Sequence, residues 1–348
     1  MKIIVFGAGG FVGGWVCEVL ANDSEHTVIG CIRGWSSAVR LARRGIDIAQ
    51  VDTSDYARIV EILSQADIVV NASMPSPELE KEVASRLFKA SAEAGVSRFI
   101  QFSSAAVYGN RTGTISEVVS AEPEDPYGRG KLSMEKNLLT MAKMGGPQLF
   151  ILRPSIIYGP FSDAWTVRFA KRIASKRWQH LGRMGKGTCN LVYAEDVARS
   201  VLVASTVEVP PGSHVFNING PSAINWNEYI DRFGELLRVN HRTSPAPLQF
   251  LLNVVAADFV RRIGSVAKAH FKSLLSRLSR STGVGRKVVG NAKSFVGLYP
   301  TLEELRLLGR KAYYSPAHAT RVLNFTATTP LDVGLSKAAD WCRAHGIV

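Results

Sequence analysis

Ile3-Ile4-Val5-Phe6-Gly7-Ala8-Gly9-Gly10-Phe11-Val12-Gly13 is an apolar run that breaks into glycines and resumes as the start of a helix. A strand, a glycine turn and a helix start are the parts of a dinucleotide-binding βαβ unit. The glycines permit a tight turn, let backbone approach a pyrophosphate and allow the helix to pack closely on the strand. The helix N-terminus offers free N–H groups and partial positive charge to phosphates. Gly7, Gly10 and Gly13 stand in GxxGxxG spacing, a variant of the general fingerprint, in the strand-then-helix context that gives the motif its meaning.

Working outward, apolar runs alternate with helical patterns. Strands are expected at Ile3–Phe6, Thr27–Ile32, Ile46–Val51, Ile68–Asn71, Phe99–Phe102 and Leu149–Leu152, and helices at Val12–Ala21, Ser36–Arg44, Ala57–Ser64, Glu78–Ala94 and Gly130–Met144. Several strands are rich in Ile and Val without alternation, as when both faces of a sheet are covered. The expected fold is α/β: a Rossmann-type, doubly wound parallel sheet with a smaller C-terminal substrate-binding region. The dinucleotide-binding domain is expected over residues 1–160, with contributions from about 187–205, and the substrate-binding region mainly over 161–348.

The 348 residues are 46% hydrophobic and 20% charged, which excludes a disordered, collagen-like or coiled-coil chain. Lys and Arg number 42 against 29 Asp and Glu, for a formal charge of +13. That excess favours anionic partners. Cys17, Cys31, Cys189 and Cys342 lie far apart without metal-ligand spacing, so they read as reduced thiols and no metal site is expected. The glycine turn follows Met1 too soon for the apolar core of a signal peptide, and no uncharged stretch is long enough to span a membrane. A cytoplasmic protein is expected.

Dinucleotide folds that prefer NAD place an acid at the end of the second strand, against the ribose 2′-hydroxyl. Here that strand ends Cys31-Ile32-Arg33-Gly34. A guanidinium pairs instead with a 2′-phosphate, so Arg33, helped by Arg40 and Arg43, favours NADP over NAD. Asp52, closing the third strand, and Asn71-Ala72-Ser73, closing the fourth, stand where strand ends meet the ligand crevice.

Phe102-Ser103-Ser104-Ala105-Ala106-Val107-Tyr108-Gly109 is followed by Pro126-Tyr127-Gly128-Arg129-Gly130-Lys131. Tyr127 and Lys131, four apart, share one face of a helix. An ammonium beside a phenol favours the phenolate, which makes Tyr127 a competent acid or base for a carbonyl or alcohol.

With these motifs the chain resembles the extended short-chain dehydrogenases/reductases, which include nucleotide-sugar epimerases, dehydratases and reductases. The resemblance covers roughly Met1–Asn240 and Ala312–Cys342. It is strengthened by Leu152-Arg153-Pro154-Ser155-Ile156-Ile157-Tyr158-Gly159-Pro160 and Asn190-Leu191-Val192-Tyr193-Ala194-Glu195-Asp196-Val197-Ala198. It implies that Tyr127 is the catalytic acid/base, and that Lys131 binds the nicotinamide ribose and tunes Tyr127. It further implies that Ser104 hydrogen-bonds the reacting oxygen and that Pro154 and Ile156 pass near the nicotinamide. Gly7, Gly9, Gly10, Phe11, Val12 and Gly13 would hold the pyrophosphate.

Two departures narrow the activity. Dehydratases of the family follow the hydroxyl residue with Asp-Glu. Ala105 and Ala106 stand there and transfer no protons. Met74-Pro75-Ser76-Pro77 replaces a longer His-containing loop of sugar epimerases, which keeps simple carbonyl reduction open. The expected function is NAD(P)-dependent oxidation, reduction or epimerisation of a nucleotide-sugar or a related phosphorylated or lipid-linked sugar. Two alternatives are an NADPH-dependent reductase of a lipid-like ketone or aldehyde, and a non-catalytic dinucleotide-binding scaffold.

The resemblance implies that cations of the C-terminal region hold a substrate diphosphate, and Arg168, Lys171, Arg172, Arg183 and Lys186 are candidates. Ala246–Tyr299 carries nine basic residues (Arg261, Arg262, Lys268, Lys272, Arg277, Arg280, Arg286, Lys287, Lys293) against one acid, Asp258. Phe259, Ile263, Val266, Phe271, Leu274, Leu275 and Leu278 recur at helical spacing among them. This segment fits either an interfacial helix that contacts anionic lipid or a helix packed on the substrate region. No nucleic-acid motif is present, and a homodimer is compatible with the chain.

Overall fold

The first strand shows why the sheet forms. Ile3 and Val5 are buried among one set of apolar side chains and Ile4 and Phe6 among another, each at most 1% exposed. A strand buried on both faces needs a layer of helices on each. Removing one such side chain wholly from water is worth about 1.5–3 kcal/mol, so strands of this composition hold only inside a sandwich of helices.

The computed structural model describes residues 1–175, 178, 181–239, 247–270 and 296–348; at 247–249 and 262–270 it describes backbone only. Its strands are β1 (Lys2–Phe6), β2 (Thr27–Ile32), β3 (Asp47–Gln50), β4 (Ile68–Asn71), β5 (Arg98–Phe102), β6 (Gly113–Ile115), β7 (Gln148–Pro154), β8 (Ile156–Tyr158), β9 (Thr188–Tyr193), β10 (Ser213–Ile218), β11 (Ala223–Asn225) and β12 (Ala312–Tyr314). The helices are α1 (Phe11–Ala21), α2 (Val39–Ala42), α3 (Tyr56–Leu63), α4 (Glu80–Glu93), α5 (Pro126–Lys143), α6 (Arg168–Ala174), α7 (Ala194–Thr206), α8 (Trp226–Leu236), α9 (Pro247–His270), α10 (Leu302–Gly309), α11 (Ala317–Leu323) and α12 (Leu331–Ala344).

The chain divides into two units. Met1–Tyr158, Asn190–Ala223 and Ala312–Leu331 form the first; Gly159–Cys189, Ile224–Lys311 and Asp332–Val348 form the second. The first holds a seven-stranded parallel sheet in the order β10-β7-β5-β4-β1-β2-β3. Val16, Leu20, Val197 and Val201 of α1 and α7 pack against one face. Ile59, Leu63, Leu87, Phe88, Met134 and Leu138 of α3, α4 and α5 pack against the other. This is the Rossmann-type doubly wound fold. The strand order reverses between β4 and β1, the place where such sheets open a ligand crevice at the strand C-termini.

Two expected elements differ. The helix expected over Ser36–Arg44 is a 3₁₀ turn at Trp35–Ser37 followed by the single turn of α2. The Ser37 hydroxyl donates to the Gly34 carbonyl at 2.9 Å, a local bond that competes with helix. The helix expected from Gly130 begins at Pro126, where the Asp125 carboxylate accepts from Gly128 N–H at 2.8 Å and proline occupies the first turn.

In the second unit, α9 turns Phe250, Val254 and Ala257 inward, all at most 2% exposed, with Phe250 against the rings of Trp178 and Tyr299. Of the basic amphipathic segment expected over 246–299, residues 246 and 271–295 lie outside the described residues. No helix among the described residues is long and apolar enough to cross a membrane.

Candidate active site

The glycine turn fits a dinucleotide. Gly7 has φ +77°, a conformation that side chains resist, and a Cβ there would lie 2.5 Å from Ser73 N. A Cβ on Gly13 would collide with the Gly7 carbonyl oxygen. The turn therefore sits against the end of β4, with α1 tight upon it. Gly10 caps α1 without any side chain, and no acid stands in the first turn of that helix. The N–H groups of the first turn thus have no side-chain cap, which is the donor set a pyrophosphate requires. Phe11 and Val12 are half-buried beside them, and Gly9 packs on Ser37.

The neighbouring strand ends are ordered by hydrogen bonds. Asn71, 2% exposed, donates to Gln101 Oε1 at 2.9 Å and accepts from Ser73 N–H at 3.1 Å. Ala72 N–H donates to the Phe6 carbonyl at 3.0 Å, which seats this stretch beside the glycine turn. Asp52 accepts from Ser54 N–H and Oγ–H, both at 2.8 Å. Those bonds, aided by the charges of Arg33 and Arg86, hold its carboxyl below the usual range.

Arg33 is exposed at the end of β2, available to a ligand. Arg40 is not placed as expected. Its Nε donates to Glu18 at 2.7 Å, a second nitrogen donates to the Phe11 carbonyl at 3.2 Å, and its guanidinium covers the Trp15 ring. It braces α1 and is withdrawn from a 2′-phosphate role.

β5 delivers the second group. Ser104 caps a 3₁₀ turn over Ala105–Tyr108, its Oγ accepting from Ala106 N–H at 3.1 Å. This turn lies on the start of α5: a Cβ on Gly128 would come within 2.7 Å of the Ala106 carbonyl, and one on Gly130 within 2.6 Å of the Pro77 carbonyl. Tyr127 projects from the first turn of α5 and is 37% exposed. One turn on, Lys131 is 3% exposed, with its Nζ 5.8 Å from the centroid of the Tyr127 ring. That Nζ donates to the Phe102 carbonyl at 3.3 Å and lies 3.0 Å from both oxygens of Glu80. Burial pushes the Glu80 carboxyl above the usual carboxylate range, and Lys131 partly offsets this. Tyr127 and Lys131 thus lie one turn apart on α5, with Lys131 bonded to the carbonyl of Phe102, two residues before Ser104.

Behind them runs a buried chain of hydrogen bonds. Arg153 of β7 donates to both oxygens of Glu135 on α5 and, at 2.8 Å, to Tyr108 Oη, which in turn donates to Asn217 at 2.7 Å. Burial raises the pKa of the Tyr108 phenol, against the pull of Arg153. Pro154 closes β7, and Ile156, half-buried, begins β8 opposite Leu191.

A model of the NAD dependent epimerase/dehydratase family matches residues 3–219. The chain belongs to that family. Its members include extended short-chain dehydrogenases/reductases, and the motifs above place this chain among them. A Bacillus subtilis (strain 168) protein, YtcB, described as an uncharacterized UDP-glucose epimerase, is 28% identical over 185 residues, 46% of this chain and 58% of its own. The UDP-glucose 4-epimerase of Vibrio cholerae is 28% identical over 173 residues, 46% of this chain and 52% of its own. The chain thus spans little more than half the length of these curated relatives. The UDP-glucuronic acid 4-epimerase of Bacillus cereus, solved in complex with NAD, superposes with a TM-score of 0.74 at 18% identity, over 99% of both chains. That likeness is one of fold.

Glu80, Glu135, Gly128 and Gly130 were not among the family member's expected site residues. The signal for Glu80 is its spacing: Glu80, Val83, Ala84 and Leu87 stand at i, i+3, i+4 and i+7, a buried helix face that carries a charge. Of the five cations proposed for a diphosphate, Arg172 is removed, being 2% exposed and bonded to Glu304 and to the Gly297 and Tyr299 carbonyls. Arg168 is ion-paired with Asp163 and Glu304 at 3.6 and 3.9 Å. Lys171, Arg183 and Lys186 are exposed.

Proposed function

We propose that the chain is an NAD(P)-dependent enzyme that oxidises and reduces a carbinol carbon of a nucleotide-sugar, or of a related phosphorylated or lipid-linked sugar, as an epimerase or a reductase. One observation carries this reading. Tyr127 and Lys131 share a face of α5 against the strand end bearing Ser104, in the unit whose glycine turn opens an uncapped helix N-terminus.

When bound, the dinucleotide supplies the hydride acceptor and donor. Tyr127 Oη takes the hydroxyl proton as the carbinol is oxidised and returns it on reduction. Lys131 holds the nicotinamide ribose, its Nζ 5.8 Å from the centroid of the Tyr127 ring. Ser104 donates a hydrogen bond to the reacting oxygen. Ala105 and Ala106 leave no carboxylate in that turn, so elimination of water lacks its acid and base. The names of the curated relatives favour a nucleotide-sugar, and Arg33 favours NADP. The test is a panel of nucleotide-sugars with NAD and NADP, assayed for epimer formation and for net oxidation or reduction. Turnover by wild type that is lost in Tyr127→Phe, with dinucleotide affinity retained, supports the reading. Wild-type rates in Tyr127→Phe would overturn it.

A second reading concerns α9, on which Leu251, Leu252, Val255 and Phe259 are 42%, 61%, 53% and 63% exposed. At helical spacing these four form one apolar stripe, opposite the face that Phe250, Val254 and Ala257 bury. From Arg262 to Phe295 the sequence has eight basic residues and no acid. The partner of matching chemistry is a lipid surface with anionic headgroups.

A further inference from the structure

The Lys131 ammonium is held by two acceptors that lie off its own helix. Both oxygens of Glu80, in the first turn of α4, are 3.0 Å from Nζ, and the Phe102 carbonyl at the end of β5 is 3.3 Å away. Glu80 and Lys131 are each 3% exposed. A buried ion pair is a weak device for stability, because withdrawing each charge from water costs several kcal/mol and an apolar pair of similar volume is often as good. The pair does serve the orientation of Lys131. An ammonium has three N–H donors. With Glu80 and Phe102 accepting two, one donor is left for a ligand oxygen, in a direction set by the other two.

We propose that Glu80 is a positioning residue that holds the Lys131 ammonium in orientation for the dinucleotide ribose and for Tyr127. The proposal rests on the reading of Lys131 and Tyr127 given above. Among the described residues, the ionisable side chains in contact with Lys131 are Glu80 from α4 and Tyr127 from α5 itself. β5 presents a carbonyl, and Glu135, one turn further along α5, is occupied by Arg153 of β7.

The experiment is calorimetric titration of the full chain with NAD and with NADP. It compares wild type, Glu80→Gln, Lys131→Met and the double variant. Glu80→Gln keeps the shape and one acceptor oxygen but removes the charge. Its affinity should fall roughly tenfold or more, as Lys131 loses the charged acceptor that directs its remaining donor. Added to Lys131→Met, it should cause no further loss, because its effect passes through Lys131. Wild-type affinity in Glu80→Gln, or losses that add in the double variant, would overturn the proposal. Should Glu80→Gln not fold, Glu80→Asp decides. Its shorter carboxylate should weaken binding, and unchanged affinity overturns the proposal. Wild-type affinity in Lys131→Met is a separate failure, that of the Lys131 assignment itself.

Discussion

Arg153 on β7 grips both carboxylate oxygens of Glu135 on α5, at 2.9 and 2.6 Å, where neither side chain is more than 8% exposed. The contact joins the strand that ends in Pro154 to the helix that carries Tyr127 and Lys131. Breaking one half of such a pair strands a charge, at a cost of about 3–5 kcal/mol, whereas replacing both halves by apolar residues is often neutral. Arg153→Met and Glu135→Leu should each lower the melting temperature strongly, and the double variant should recover most of the loss. Thermal denaturation of the three decides. Single variants that melt with wild type would show that the pair does not hold α5 to the sheet.

Gly13→Ala places a methyl against the carbonyl of Gly7, which belongs to the turn itself and cannot rotate away. Overpacking of this kind costs about 1–3 kcal/mol. The turn must shift, and dinucleotide affinity should fall at least tenfold while the rest of the sheet stays folded. Calorimetry and circular dichroism on the same sample test this. Wild-type affinity would mean that phosphates are not bound at this turn.

The parallel sheet was legible because β1, β2, β4 and β7 carry runs of buried apolar residues, and β5 departs from such a run only at Gln101. β10 was missed. Ser213-His214-Val215-Phe216-Asn217-Ile218 lies at the sheet edge, and its polar positions are occupied tertiary ones: Asn217 accepts from Tyr108 and donates to the Ile115 carbonyl. That Tyr127 and Lys131 lie side by side was legible because residues four apart on one helix share a face. Glu80 was not, since its partner lies 51 residues away and only packing brings them together. Arg40 was misread for the same reason: nothing local shows that Glu18, on the preceding helix, claims its charge.

Arg33 tests the choice of cofactor. A charge-assisted contact to a 2′-phosphate is worth about 1.5–3 kcal/mol, or roughly ten- to hundredfold in affinity. NADP should bind wild type more tightly than NAD by that factor, and Arg33→Ala should remove the difference without weakening NAD. Equal affinities of the two dinucleotides for wild type would refute the preference.

The four cysteines carry free, buried thiols. Burial pushes Cys31 up to about 12 and Cys342 to about 11, and raises Cys17 and Cys189 as well. The thiolate is the reactive form, so raised values mean almost none at neutral pH. A thiol reagent at about pH 8 should therefore label none of them quickly in the native protein, and all four in denaturant. Rapid native labelling of any one would show that its surroundings open in solution.

The exposed stripe on α9 makes the last prediction. Leu251, Leu252, Val255 and Phe259 would enter the acyl boundary of a bilayer, while the basic run that follows in sequence is drawn to anionic headgroups. Each Lys or Arg near such a surface contributes about 1 kcal/mol, and the attraction fades beyond a Debye length. Co-sedimentation with vesicles should then require anionic lipid and weaken as salt rises. Leu252→Ser with Phe259→Ser, both at exposed positions and so harmless to the buried face, should reduce pelleting several-fold with the melting temperature unchanged. Pelleting that persists in this variant would assign the attraction to charge alone. No pelleting of wild type with anionic vesicles at low salt would remove the membrane from the account.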